Sequence, residues 1–209
     1  MTLAKPRQRA VQRRAEETKD SLLTAGVDLF SSRGFEGVSI RAIEEASETK
    51  RGLVAYHFGS KDNFWKAVAK RVFEQVPATS SKTHDALQGL DKEAQIRWYM
   101  TSFIYYSAEH PEISRLIIQE GKVPSWRLDY LVENYVRPRL DLFRELLGQE
   151  LDAHMLYTFI GAATVVFDVE AECESLFGFN PRNKAFVKEH ARRVCDLLIS
   201  SISPATAKL

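Results

Sequence analysis

Between Gly34 and Ser60 the chain has room for two short helices and a tight turn, and for little else. Ser39 is a good N-cap, because its hydroxyl can take up a free N–H of a helix over Ile40 to about Ala46. The spacing predicts a further short helix over about Lys50 to His57, broken off by Gly59-Ser60. Ser60 then caps a helix from Lys61 that turns Phe64, Trp65, Val68 and Val72 inward and ends near Pro77. Ahead of this region a helix over about Val11 to Ser32 lines up Leu22, Leu23, Ala25, Gly26, Leu29 and Phe30 on one face. Gly34 is its stop, since glycine tolerates a left-handed backbone.

No run of alternating β-branched residues bounded by hairpin turns exists in the 209 residues, whereas helical spacing recurs throughout. The polar segment Pro77–Thr83 reads as a seam. Helices follow over about Asp91 to Glu109, Pro111 to Gly121, and Ser125 to Leu147, the last with Pro138 inside it as the expected kink. Two more are expected over about Leu151–Phe177 and Pro181–Ile202. The expected fold class is therefore all-α, with an N-terminal three-helix helix-turn-helix head in residues 1–77 and a larger helical body in residues 78–209. In a helix-turn-helix the second helix of the pair lies in the major groove of DNA, and the first holds it there and touches the backbone.

Charge agrees with that layout. Residues 1–71 hold 14 Lys and Arg against 9 Asp and Glu, a net of +5, so the remainder carries −4 and the whole chain +1. A basic head on an acidic body points to a polyanionic partner for the head. The N-terminus is charged where a signal peptide needs an apolar core, and no stretch of eighteen apolar residues occurs, so a cytoplasmic protein without a membrane partner is expected.

The head resembles the tetracycline-repressor (TetR) family. The family pattern runs Leu-Phe, Gly-Phe or Gly-Tyr, Thr-Ser, Ile-Ala, Ala-Gly-Val-Ser-x-Gly, Tyr-x-Phe and Ser-Lys-Glu/Asp. This chain reads Leu29-Phe30, Gly34-Phe35, Val38-Ser39, Ile43-Glu44, Gly52, Tyr56-His57-Phe58 and Ser60-Lys61-Asp62, without a gap from Phe30 to Asp62. The stretches His110-Pro111-Glu112, Glu120 and Arg127-Leu128 through Arg137-Pro138 resemble one branch of the family's bodies. The chain departs from the pattern at the turn, where Ser47-Glu48-Thr49-Lys50 stands for Ala-Gly-Val-Ser, and Thr49 is the candidate to take over the capping.

The resemblance implies a ligand-responsive transcriptional regulator, by default a repressor, that binds a palindromic operator in double-stranded DNA as a homodimer. It places DNA contacts at Ser39, Arg41, Lys50, Arg51, Gly52, Leu53, Ala55, Tyr56, His57 and Lys61. Lys50 and Arg51 open the groove helix in this reading, and Arg51 is suited to the O6 and N7 edge of guanine. Gly52 allows close approach, Leu53 and Ala55 suit a thymine methyl, and Tyr56 and His57 reach phosphate. Ser39 and Lys61 begin helices that attract phosphate, and Arg41 faces the backbone with them. Phe30, Ile43, Val54 and Phe58 are core. Tyr56 has an alternative reading as a core-edge aromatic. The tail residues Lys5, Arg7, Arg9, Arg13 and Arg14 suit either a DNA-tracking arm or a solubilising tail.

In the body, Leu151, Met155, Phe159, Ala162, Val166 and Val169 form one stripe and Val187, Ala191, Val194, Leu198 and Ile202 another. Further apolar residues, Leu156, Ile160, Ala163, Phe167, Phe186, Cys195 and Ile199, suggest second faces, and the resemblance implies a four-helix dimer interface from these last two helices. The aromatic middle of the chain is read as core or as the lining for an apolar or aromatic effector, with Trp98, Phe103, Tyr106, Gln119, Glu120, Trp126, His154 and Tyr157 as candidates.

Three other readings remain open on sequence. An enzyme would need a site, but there is no phosphate-cradling glycine loop, no His-Glu-x-x-His, no Gly-x-Ser-x-Gly and no Cys-x-x-Cys, and the five histidines lack metal-ligand spacing. No enzyme and no cofactor is expected. Cys173 and Cys195 could serve a redox sensor, although buried structural thiols are commoner. The altered turn also fits an interaction module that has given up DNA.

Overall fold

The computed structural model describes residues 6–74, 87, 89–147 and 152–202, so Lys5, the seam Pro77–Thr83, the 77/78 division and Leu151 lie outside the described residues. Every described element is a helix. In chain order these are α1 (Pro6–Arg33), α2 (Ile40–Ala46), α3 (Leu53–Phe58), α4 (Lys61–Glu74), α5 (Lys92–Glu109), α6 (Pro111–Glu120) and α7 (Trp126–Leu131). A π-helical turn (Val132–Val136) leads into α8 (Arg137–Leu147), followed by α9 (Ala153–Asp168), α10 (Glu170–Phe177) and α11 (Lys184–Ile202). None of the described helices is long and apolar enough to cross a membrane.

The chain forms two compact units. The first comprises residues 1–75 and 115–125. Its core is Leu22, Phe30, Ile43, Val54, Phe64, Trp65 and Val68, all fully buried, drawn from α1 to α4. Phe30 stands at the centre, with ring centroids 5.8 Å from Phe35 and 6.0 Å from Phe64. Gly26 permits the close approach of α1 and α4. A Cβ there would fall 2.6 Å from Val68 Cγ2 and 2.7 Å from Phe64 Cζ.

The second unit comprises residues 76–114 and 126–209. Ile96, Met100, Ile104 and Ala108 of α5, stepping by four, meet Phe159, Ala163 and Phe167 of α9 and Val187, Ala191, Val194, Cys195, Leu198 and Ile199 of α11. Arg182 closes the end of α5 by donating from Nε to the Ala108 carbonyl at 2.7 Å. His190 sits in this core between the rings of Phe167 and Phe186, with Nε2 2.8 Å from the Ala162 carbonyl. Burial holds its pKa below the ordinary 6.5, against the opposing pull of that carbonyl. The unfolded chain therefore binds more protons as pH drops through 6.5, and stability falls with it. A His190→Gln variant should show a flatter decline in melting temperature between pH 7 and pH 5; an unchanged decline would clear His190 of the effect.

Outside the helix-turn-helix, four boundaries differ from the expectation. Helix α1 begins at Pro6 rather than Val11, because proline suits a first helical position and Arg, Gln and Ala sustain the turns behind it. The irregularity foreseen at Pro138 lies just before it. Proline has no N–H and its ring collides with the carbonyl four residues back, so the backbone widens to a π turn, and the Arg137 N–H donates to Val132 O. Side chains take the carbonyls this disturbs, Asn134 Nδ2 donating to Tyr130 O at 2.8 Å and Arg139 Nη1 to Tyr135 O at 2.7 Å. The helix expected over Leu151–Phe177 is interrupted at Val169, whose φ of −110° and ψ of 38° leave the helical region. The last helix starts at Lys184, after Asn183 Oδ1 takes the Phe186 N–H, not at Pro181.

Candidate nucleic-acid interface

The helix-turn-helix is built from α2 and α3. Ser39 caps α2, its Oγ accepting from Ala42 N at 3.1 Å. Ile43 and Glu44 then point inward, while Arg41 and Glu45 lie outside and pair at 2.8 Å. The Arg41 hydrogen bond, reinforced by its charge, holds Glu45 below the usual carboxylate range.

The turn differs from the sequence expectation. Glu48 adopts φ 55°, the left-handed conformation that glycine supplies in the family pattern, and no other non-glycine residue among those described has a positive φ. A left-handed backbone costs an ordinary residue about 1–2 kcal/mol, offset on change to glycine by about 0.5–1 kcal/mol of chain entropy. Glu48→Gly should therefore raise head stability by about 0.5–1 kcal/mol in urea denaturation, and a loss of stability would contradict the assignment. Gly52 is also left-handed, at φ 86°, so Lys50 and Arg51 belong to the turn and α3 opens at Leu53, three residues later than expected. Thr49 is not the cap. Its Oγ1 lies 2.9 Å from Ser47 Oγ. Gly52 offers no side chain either, and the first turn of α3 is held by Glu44, whose Oε1 accepts the Val54 N–H at 3.0 Å.

Around this frame Lys50, Arg51, Gly52, Ala55 and Tyr56 are exposed, and Val54 is fully buried. Tyr56 is 80% exposed, so it is not a core-edge aromatic. Its ring meets that of the half-buried His57 edge-on at 4.9 Å. Leu53 is partly buried. Ser60 caps α4 through Asn63 N at 3.1 Å. Lys61 turns back: its Nζ donates to the Phe35 carbonyl at 2.6 Å and lies 4.0 Å from the centre of the Phe35 ring.

A model of bacterial regulatory proteins of the tetR family matches residues 22–68. Over these residues the head is similar to the tetR family. The match runs from Leu22 in α1 to Val68 in α4 and so takes in the whole helix-turn-helix. Among TetR-type relatives, the chain is 29% identical over 108 residues to the transcriptional repressor NicS of Pseudomonas putida, covering 51% of this chain and 50% of NicS. It is 24% identical over 195 residues to the transcriptional regulator RutR of Escherichia coli, covering 89% and 91%. The chain thus spans half the length of NicS, and 64% of a Bacillus subtilis relative. The crystal structure of HlyIIR, a hemolysin II transcriptional regulator, superposes with a TM-score of 0.64 at 22% identity, covering 90% of this chain and 97% of that one. That likeness shows the all-helical fold. The family and these relatives are transcriptional regulators, not enzymes.

The residues read as effector contacts are dispersed over both units. Gln119 belongs to the first, where its Nε2 donates to the Ser32 carbonyl at 3.2 Å, and Glu120 is buried there too. In the second unit Phe103 packs on Phe159 at 5.2 Å, Trp98 stands edge-on to Tyr99 at 5.1 Å, and Trp126 lies beside the Arg127 guanidinium at 5.7 Å. Tyr106 is half-buried, with its ring 4.5 Å from His110. Burial, followed by the nearby Glu112 carboxylate, pushes its phenol up to about 12. Its hydroxyl is buried without a hydrogen-bond partner among the described residues. His154 is exposed and Tyr157 is 72% exposed.

Proposed function

We propose that this chain is a homodimeric transcriptional repressor of the cytoplasm that binds a palindromic operator and is released by a small apolar or aromatic effector. The observation that carries the DNA part is the two-sided character of residues 50–58. Val54 goes into the core, while Lys50, Arg51, Gly52, Ala55 and Tyr56 stand together on the outside. Arg51 is the base reader in this proposal, with Lys50 and Tyr56 beside it. Ser39, Arg41 and His57 supply phosphate contacts, Gly52, Leu53 and Ala55 line the close approach, and Lys61 serves through the N-terminus of α4. Because Lys61 also tethers the link before α2, Lys61→Ala should lower head stability as well as DNA affinity.

Residues 1–77 make the DNA-binding domain and residues 78–209 the effector and dimerisation domain. Support for a dimer comes from apolar side chains left exposed on α9 to α11, namely Tyr157, Val165, Val169, Leu176, Phe177 and Leu197. They replace part of the second face expected from sequence, because Ala163, Phe167, Cys195 and Ile199 are buried in the unit's own core. Support for an effector comes from Trp98, Phe103 and Trp126 together with the unpartnered Tyr106 hydroxyl. An effector that favours one conformation of the dimer and DNA that favours another must weaken each other reciprocally.

Titrating a random duplex against salt tests the DNA part. A reader that neutralises 6–10 phosphates loses on the order of 10³–10⁵ in affinity between 50 mM and 200 mM salt. A flat response would favour the interaction-module reading.

A further inference from the structure

We propose that Glu44 is the positioning residue of the groove-reading helix, clasping the turn from both ends so that α3 is held against α2 in the attitude that presents Lys50 and Arg51. The inference rests on the DNA-reading function proposed above and assigns a role to a residue that touches no DNA in that reading.

Glu44 is 4% exposed, an uncommon fate for a carboxylate in a small head. Its side chain reaches over the turn to the Val54 N–H at 3.0 Å, in the first turn of α3. Its own carbonyl meanwhile accepts the Thr49 N–H at 3.0 Å and the Ser47 hydroxyl at 3.2 Å. Residues 47, 49 and 54 are thus fastened to one residue of α2. Neither usual device is present: the turn has Glu48 in a left-handed conformation, and the N-cap of α3 is Gly52, with no side chain to cap the helix. The neighbouring Glu45 does something else, pairing outside with Arg41. Carboxylates are favoured at a helix N-terminus, where the N–H groups carry partial positive charge. Reach rather than charge is decisive, because one oxygen at one distance makes the bond.

Three variants separate this from a general structural role: Glu44→Gln keeps reach and loses charge, Glu44→Asp keeps charge and loses reach, and Glu44→Ala loses both. Two readouts are taken on each folded variant. One is hydrogen exchange of the Val54 amide in the free protein. The other is the ratio of affinities for a selected operator and for random duplex. Glu44→Gln is expected to retain both. Glu44→Asp is expected to expose the Val54 amide and to lose about five- to tenfold of the ratio, the worth of a helix cap, while binding to random duplex at low salt stays the same. If Glu44→Asp matches the unsubstituted protein in both readouts, or if Glu44→Gln fails as badly as Glu44→Asp, the proposal is overturned. Should the unsubstituted protein ignore DNA altogether, the function fails, and the exchange readout still decides whether Glu44 holds α3. Because the Gln and Asp variants carry the decision, a Glu44→Ala chain that does not fold changes nothing.

Discussion

Phe30→Ala should unfold the head. The side chain is fully buried and lies between the rings of Phe35 and Phe64, so truncation leaves a hole that three helices cannot close. Buried Phe→Ala changes cost about 3–5 kcal/mol, set against a total stability of about 5–15 kcal/mol for a whole domain. A small head sits at the lower end of that range. The expected result is a strongly lowered or absent first transition in thermal denaturation, with loss of all duplex binding. Phe30→Leu, which keeps most of the volume, should cost much less. A Phe30→Ala protein that melts normally would mean that the packing around Phe30 is wrong.

Arg51→Ala should leave the fold alone and remove selectivity. Arg51 is exposed in the turn ahead of α3, and surface changes of this kind cost within about 0.5 kcal/mol of stability. A bidentate arginine–guanine pair contributes about 1–3 kcal/mol of discrimination, and a dimer forfeits it twice, so an operator with two half-sites should lose the discrimination of both. Affinity for random duplex should fall only slightly, since one of several cationic contacts is lost. The measurement is the ratio of operator to random-duplex binding, together with the sequence motif recovered by selection. An unchanged motif would take base reading away from Arg51.

Much of this was legible because glycine, serine and apolar spacing mark it. Ser39, Ile43, Ser60 and the Phe64–Val72 stripe place α2 and α4 where the residues predict, and Phe30, Ile43 and Val54 are core as their spacing implies. The start of α3 was not, because Lys50 and Arg51 are good helix formers and only the left-handed Gly52 removes them from the helix. The role of Glu44 is not legible in the sequence, since a cap contributed from ten residues away has no local signature; a carboxylate beside Ile43 on an inward face is the one available hint. The interruption at Val169 carries no glycine or proline to announce it. In the body, periodicity found the stripes but not which apolar residues turn outward, because Cys195 and Ile199 are buried beside Leu198 on a helix whose inward face is broader than one stripe.

The central claim is that the turn before α3, and α3 itself, enter a groove of duplex DNA in two symmetry-related copies. Selection of bound sequences from a random duplex library tests it most directly. The account predicts an inverted repeat whose half-sites are centred about one helical turn apart, on the order of 34 Å. Recovery of no enriched sequence, or of a motif without twofold symmetry, would contradict it.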